Sequence, residues 1–154
     1  MPVEFWALFH GFLGTLFLMA FSGSFAELLH LTKAGLRRLK VGITVLFVTA
    51  WALFASGTNV YIAYRAPVPE SARSRILAGP TPWVHSVLME LKEFTGAFVP
   101  AIALLALVLV LAWDERLLEE GRLRRVLALV LVAAMLWTLL PFGLGAFITK
   151  TASV

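Results

Sequence analysis

The stretch that decides the fold runs from Phe94 to Trp113, FTGAFVPAIALLALVLVLAW, and contains no ionisable side chain. A helix rises about 1.5 Å per residue, so about 20 apolar residues cross the roughly 30 Å of hydrocarbon in a bilayer. This segment therefore predicts a membrane-spanning helix.

The composition of the whole chain agrees with that prediction. Of its 154 residues, 60% are hydrophobic and 14% are charged, and the mean hydropathy is +0.90. A typical soluble domain is about half apolar and about a quarter charged, which excludes a water-soluble globular domain. The chain has no cysteine, which excludes disulfides, thiolate metal sites and cysteine nucleophiles.

Three further apolar blocks flank the block that contains the segment 94–113. The four blocks cover residues 5–31, 41–64, 83–113 and 126–148. They predict an all-α fold, an integral membrane four-helix bundle in which residues 1–154 form a single transmembrane domain. The loop 65–82 is bounded by prolines, and its segment 71–78 is predicted to form a short helix at the membrane surface.

The basic residues orient the bundle because they divide unequally between its ends. The richer end holds Lys33, Arg37, Arg38, Lys40, Arg116, Arg122, Arg124 and Arg125, and the poorer end holds Arg65, Arg73, Arg75 and Lys150. By the positive-inside rule the richer end is cytoplasmic, so we expect both termini outside. The membrane topology thus explains the net charge of +4, so a nucleic-acid partner is not expected. We expect a prokaryotic plasma-membrane protein in contact with lipid.

Ionisable side chains at membrane depth are costly and are therefore the first functional candidates. His10 lies in the first helix and His85 at the start of the third, both near the outer end. From the predicted helix starts, the two imidazoles lie within roughly 5 Å of each other in depth, at nearly the same level. Gly14 shares the helical face of His10, and Lys92 shares that of His85.

Two imidazoles on different helices at equal depth are typical of a low-spin b-type haem site. We therefore expect His10 and His85 to be the metal ligands of one haem b. The residues expected to surround the cofactor are small, polar or basic, or lie on the face of His85: Gly11, Gly14, Asn59, Arg65, Met89, Lys92, Glu93 and Gly96. Asn59 must find a partner on a neighbouring helix or a ligand.

The segment 85–93 has two interpretations. In one it is an outer amphipathic extension, and Glu90, Lys92 and Glu93 are largely solvated. In the other, Lys92 and Glu93 point toward the bundle axis, where they would pair and pass protons to a quinone or porphyrin headgroup. A metal site formed by His10, His85 and Glu93 is also open.

The start of the first helix, Trp6-Ala7-Leu8-Phe9-His10, resembles that of small four-span membrane proteins that bind b-type haem. These include the bacterial protoporphyrinogen oxidase of that architecture and copper-resistance membrane domains. The resemblance covers one helix and one histidine, and it implies haem ligation by His10. The later motifs of those families have no match in this chain, so their activity is not carried over.

These features predict a membrane electron-transfer protein or subunit that binds one b-type haem near the outer face and exchanges electrons with quinol or an external redox partner. The alternative is a non-catalytic structural or assembly subunit of a larger respiratory or photosynthetic membrane complex, with other membrane subunits as partners. A transporter is the third hypothesis, and the lack of charge in the inner half argues against it.

Overall fold

The computed structural model of the chain describes residues 2–152, and these residues form helices and connecting turns without a strand. The helices are α1 (Val3–Leu29), α2 (Lys33–Tyr64), α3 (Ala72–Ala78), α4 (Glu90–Trp113), α5 (Arg116–Glu119) and α6 (Gly121–Thr151). A π-helical segment, Val84–Met89, runs directly into α4. The all-α prediction is confirmed.

Four of these helices are long and apolar enough to cross a membrane: α1, α2, the π-helical segment with α4, and α6. In the bundle α1 packs on α2, α2 on α4 and α4 on α6, while α1 and α6 touch over a smaller area. A membrane four-helix bundle is thereby confirmed. We call the end that carries the loop 65–82 the outer end, following the charge rule, which stays a prediction.

Two spans begin earlier than their apolar blocks. The helix α2 begins at Lys33 rather than at residue 41, because the Thr32 hydroxyl caps it by accepting the Gly35 N–H at 3.0 Å. The helix α6 begins at Gly121 rather than at residue 126. Lysine and arginine are good helix formers, so the basic turns continue the helices toward water.

The inner half of the bundle has an aliphatic and aromatic core. Its fully buried members include Phe17, Leu39, Ile43, Leu46, Val110, Leu117, Leu127 and Leu131. Ala103 and Ala106, also fully buried, let α4 approach its neighbours closely. Close packing of this kind holds helices together in lipid, where the hydrophobic effect contributes little to their association.

Ion pairs fix the inner ends of the helices. The Arg38 guanidinium donates to both carboxylate oxygens of Glu27, at 2.5 and 3.0 Å, and so joins α2 to α1. The Lys40 ammonium pairs with Asp114, the residue with φ of 37° that ends α4. Each inner linker is therefore tied to the adjoining spans.

The short helix α3 packs over the outer end of the bundle. Its Ala72 and Ile76 are buried in a second core cluster with Tyr64, Val84, Met89 and Ile148. The Ser71 hydroxyl caps α3 by accepting the Ser74 N–H at 3.2 Å. The helix predicted for this loop is thus present, and it brings the loop against the ends of α2, α4 and α6.

Candidate functional site in the outer half

His10 is held against α2 by a hydrogen bond to Ser56. Its Nδ1 lies 3.0 Å from Ser56 Oγ, which is 3.1 Å from the carbonyl oxygen of Leu53. The Ser56 hydroxyl donates its one proton to that carbonyl, so we assign the Nδ1–H of His10 as the donor to Ser56. In the neutral ring Nε2 then carries the lone pair, and within residues 2–152 it has no hydrogen-bond partner.

A glycine on α2 makes room for this ring. A Cβ atom at Gly57 would lie 3.1 Å from Cε1 of His10, which is tighter than an ordinary contact. The absence of a side chain therefore lets the imidazole rest on the α2 backbone. Ser56 and Gly57 together fix the ring position, and Nε2 is left as the available atom.

Lys92 extends from α4 into the bundle and packs against α6. Its Cε would lie 3.0 Å from a Cβ built on Gly145, so the glycine accommodates the lysine stem. In the described part of the chain its ammonium forms neither an ion pair nor a hydrogen bond, although it interacts electrostatically with His10 and Glu93. A cation without a partner at membrane depth is expensive and marks a candidate for ligand binding.

Glu93 adds a second ionisable group with an unsatisfied polar atom. Its Oε1 is fully buried and lacks a hydrogen-bond partner among the described residues, and the Tyr61 hydroxyl lies beside the carboxylate. Lys92 and Glu93 are both partly buried, which favours the interpretation that turns them toward the bundle interior. They do not form the predicted pair with each other. Glu90 is exposed and accepts a hydrogen bond from Arg65 at 2.5 Å.

Open space lies next to His10 and Lys92. Gly14, which is buried, is one turn deeper than His10 on α1, and Gly96 is one turn deeper than Lys92 on α4. A Cβ built on either glycine would meet no atom within 4 Å. We call His10, Gly14, Lys92, Glu93 and Gly96 the outer site.

His85, in contrast, is fully engaged. Arg73 donates from Nε to His85 Nε2 at 3.1 Å, so this nitrogen is the acceptor and the ring proton sits on Nδ1. That proton is donated to the Tyr64 hydroxyl, 3.0 Å away. The ring thus links α3 to the end of α2, and neither nitrogen is available to a metal.

The structure does not bring His10 and His85 together. Their partners Ser56 and Tyr64 are separated by about 12 Å of rise along α2. Two imidazoles on one iron would place their nitrogens about 4 Å apart, twice a typical metal–imidazole bond. The depth difference exceeds the expected one because α1 begins at Val3, and the π-helical segment turns His85 away from the direction of Lys92. These residues do not fit a haem held by both histidines.

The other predicted residues divide into those that pack and those that face outward. Arg65 pairs with Glu90 and lies 4.8 Å from the centre of the Tyr61 ring. Met89 is buried in the outer core cluster. Gly11 is exposed on the lipid side, and exposed Asn59 donates to the Ala55 carbonyl at 2.9 Å, so its partner is its own helix.

Sequence reasoning missed Ser56 and Gly145 as contacts of the site and Tyr64 as the partner of His85. Small residues near the outer ends of α2 and α6 are the signal that could have indicated close contact there. No group of three or more histidine, aspartate or glutamate side chains that could hold a metal ion is found in residues 2–152.

In comparisons with known proteins, no family model, no curated protein and no solved structure matched this chain. The likeness of the first helix to four-span haem proteins therefore stays a prediction.

Proposed function

We propose that this chain is a quinone- or quinol-binding membrane subunit of an electron-transfer system, with the headgroup held in the outer site. The observation that carries the proposal is the pair of unpartnered groups, Nε2 of His10 and the Lys92 ammonium, beside the open space at Gly14 and Gly96. Ligand pockets are mostly apolar and contain few polar groups that fix orientation, and this site has that composition.

The two groups offer complementary chemistry to a quinone ring. The Lys92 ammonium is a donor only, and it would hydrogen-bond a quinone carbonyl oxygen. Nε2 of His10 is an acceptor in the neutral ring, and it would accept the hydroxyl proton of a quinol. Donor and acceptor on α4 and α1 would thus orient the headgroup between the two helices.

Glu93 supplies a route for the proton that quinone chemistry releases or consumes. Its carboxylate lies beside the Tyr61 hydroxyl, and the Tyr61 ring lies under the Arg65 guanidinium. Arg65 and its partner Glu90 are exposed at the outer end. Protons would pass between Glu93 and the exposed Glu90 carboxylate by way of the Tyr61 hydroxyl, with Arg65 remaining protonated, while electrons are exchanged with a redox subunit of the same complex.

The test is a calorimetric titration of the purified protein, in lipid nanodiscs, with a short-tailed ubiquinone or menaquinone analogue. A hydrogen bond to a charged group contributes about 1.5–3 kcal/mol, so Lys92→Met is expected to weaken binding about 10- to 100-fold. His10→Phe, which loses a neutral hydrogen bond, is expected to weaken it about fivefold. Lys150→Met is the matched control, because this lysine is exposed near the end of α6.

Absence of saturable quinone binding in the unsubstituted chain would contradict the proposal, as would equal losses in Lys92→Met and Lys150→Met. An absorption spectrum before and after dithionite tests the haem prediction in the same sample. A b-type spectrum that disappears in both His10→Ala and His85→Ala would show that the two histidines ligate a haem. That result would contradict the proposed quinone site.

A further inference from the structure

A groove between α1 and α6 lies at the opposite, inner end of the bundle, far from the outer site. It encloses about 370 Å³ and is lined by Leu28, Leu29, Gly121, Arg124, Arg125 and Ala128. The lining thus combines apolar side chains from the end of α1 with two guanidinium groups from the first turns of α6. Its lining includes no acidic side chain.

The guanidinium of Arg124 is held in place by the protein. Its Nη1 donates to the carbonyl oxygens of Leu117 and Leu118 at 2.9 and 3.0 Å, at the end of α5. Its Nη2 and Nε have no hydrogen-bond partner in the part of the chain that the structure describes. An immobilised cation with free donors loses little conformational entropy when it binds an anion.

Arg125 is exposed and, among residues 2–152, makes no ion pair. Three of the other basic residues at this end have carboxylate partners: Arg38 pairs with Glu27, Lys40 with Asp114 and Arg116 with Glu120. The groove therefore carries two positive charges that the protein does not balance.

A second groove at the same end, between α1 and α2, is a natural comparison. It is also lined by two arginines, but Glu27 lies among them and pairs with Arg38. Within the described part of the chain, that groove thus keeps one arginine without an ion pair, Arg37, whereas the α1–α6 groove has two arginines and no carboxylate and is the better match for an anion.

We propose that the α1–α6 groove binds a phospholipid with an anionic headgroup. Arg124 and Arg125 would contact the headgroup phosphate, and the acyl chain would follow Leu28, Leu29 and Ala128 toward the membrane centre. Basic pockets between transmembrane helices at the cytoplasmic surface have this chemistry. The small contact area between α1 and α6 gives the chain access to the groove from the bilayer.

Native mass spectrometry of the purified protein in detergent, titrated with phosphatidylglycerol or phosphatidylcholine, tests the proposal. We expect selective binding of phosphatidylglycerol. Each arginine near an anionic headgroup contributes about 1 kcal/mol, so Arg125→Gln is expected to weaken that binding about fivefold. Arg122→Gln is the matched control, because Arg122 is exposed on the same helix but lies outside the groove.

A second pair of variants tests the acyl-chain contact. Ala128→Phe should fill the groove and reduce phosphatidylglycerol binding, whereas Leu129→Phe, on the exposed side of α6, should leave it unchanged. Three results would overturn the proposal: equal binding of both lipids, equal losses in a variant and its control, or binding of glycerophosphoglycerol or inorganic phosphate as tight as that of the lipid.

Discussion

The inner and outer halves of the bundle differ in what fills the space between the helices. In the inner half, residues such as Leu46 and Leu131 are fully buried members of an apolar core cluster. In the outer half, His10, Lys92 and Glu93 are partly buried, and each carries a polar atom without a hydrogen-bond partner among the described residues. Packing explains most of the inner half, where one buried polar atom, Ser24 Oγ, lacks a partner among the described residues. The outer half instead concentrates ionisable groups that lower stability and so call for a functional explanation.

The largest expected loss of stability comes from placing a lysine in the inner half of the bundle. Leu46→Lys would introduce a charge at a fully buried position of α2, where no open space accommodates it. A lysine at the middle of a span costs about 3 kcal/mol on insertion scales, and lost packing adds to this. We expect little folded protein by size-exclusion chromatography. A monodisperse, fully folded Leu46→Lys variant would show that the inner half tolerates charge as the outer half does.

The next effect concerns the contacts that hold α3. Tyr64→Phe removes the acceptor of the His85 Nδ1–H and leaves a buried donor unpaired. Such a group costs about 1–3 kcal/mol, so we expect a lower free energy of unfolding and faster amide exchange in α3. The exchange of the inner core should not change. Equal acceleration in both halves would contradict the assignment of Tyr64 and His85 to a local outer contact.

Lys92→Met should change the free energy of unfolding in the opposite direction. The substitution keeps the length of the stem against Gly145 and removes an unpartnered charge, so the free energy of unfolding should rise by about 1 kcal/mol. Denaturation of the reconstituted protein, monitored by circular dichroism, measures this. A clear loss of stability would mean that Lys92 is a structural residue like those of the inner core.

The smallest effect on stability is expected in the inner linker between α4 and α6. Arg116 and Glu120 form an exposed i,i+4 ion pair at 2.9 Å. Exposed helical pairs contribute about 0.3–0.5 kcal/mol, so Arg116→Gln should shift the unfolding transition only slightly. The shift should also shrink at high salt. A loss comparable to that of Tyr64→Phe would show that the inner ion pairs, and not only the apolar core, hold that half together.

The fold followed from the sequence because the bilayer restricts the possibilities. A span without ionisable groups, such as the one that ends at Trp113, has few alternatives to a helix. The prolines around residues 71–78 similarly isolated α3 as a short element. The ends of α2 and α6 were harder to predict, because capping by Thr32 and snorkelling arginines extend helices beyond their apolar blocks.

The candidate site was predictable only in part. Hydropathy and helical periodicity identified His10, Lys92 and Glu93 as unusual, because such groups are rare at membrane depth. The expected equal depth of His10 and His85 was not found, because it depended on the exact starts of two helices and on a π-helical segment with no clear sequence signal. Contacts such as Lys92 with Gly145 depend on how the helices pack, and periodicity within one helix does not contain that information.

Photoaffinity labelling of the reconstituted protein with an azidoquinone, followed by mass-spectrometric mapping of the adducts, tests directly whether the outer site binds a quinone. We expect labelling of α1 around His10 and of α4 around Lys92, suppressed by excess unlabelled quinone and by Lys92→Met. Adducts confined to the inner half or to the lipid-facing surface, or adducts that excess quinone does not suppress, would contradict quinone binding in the outer site.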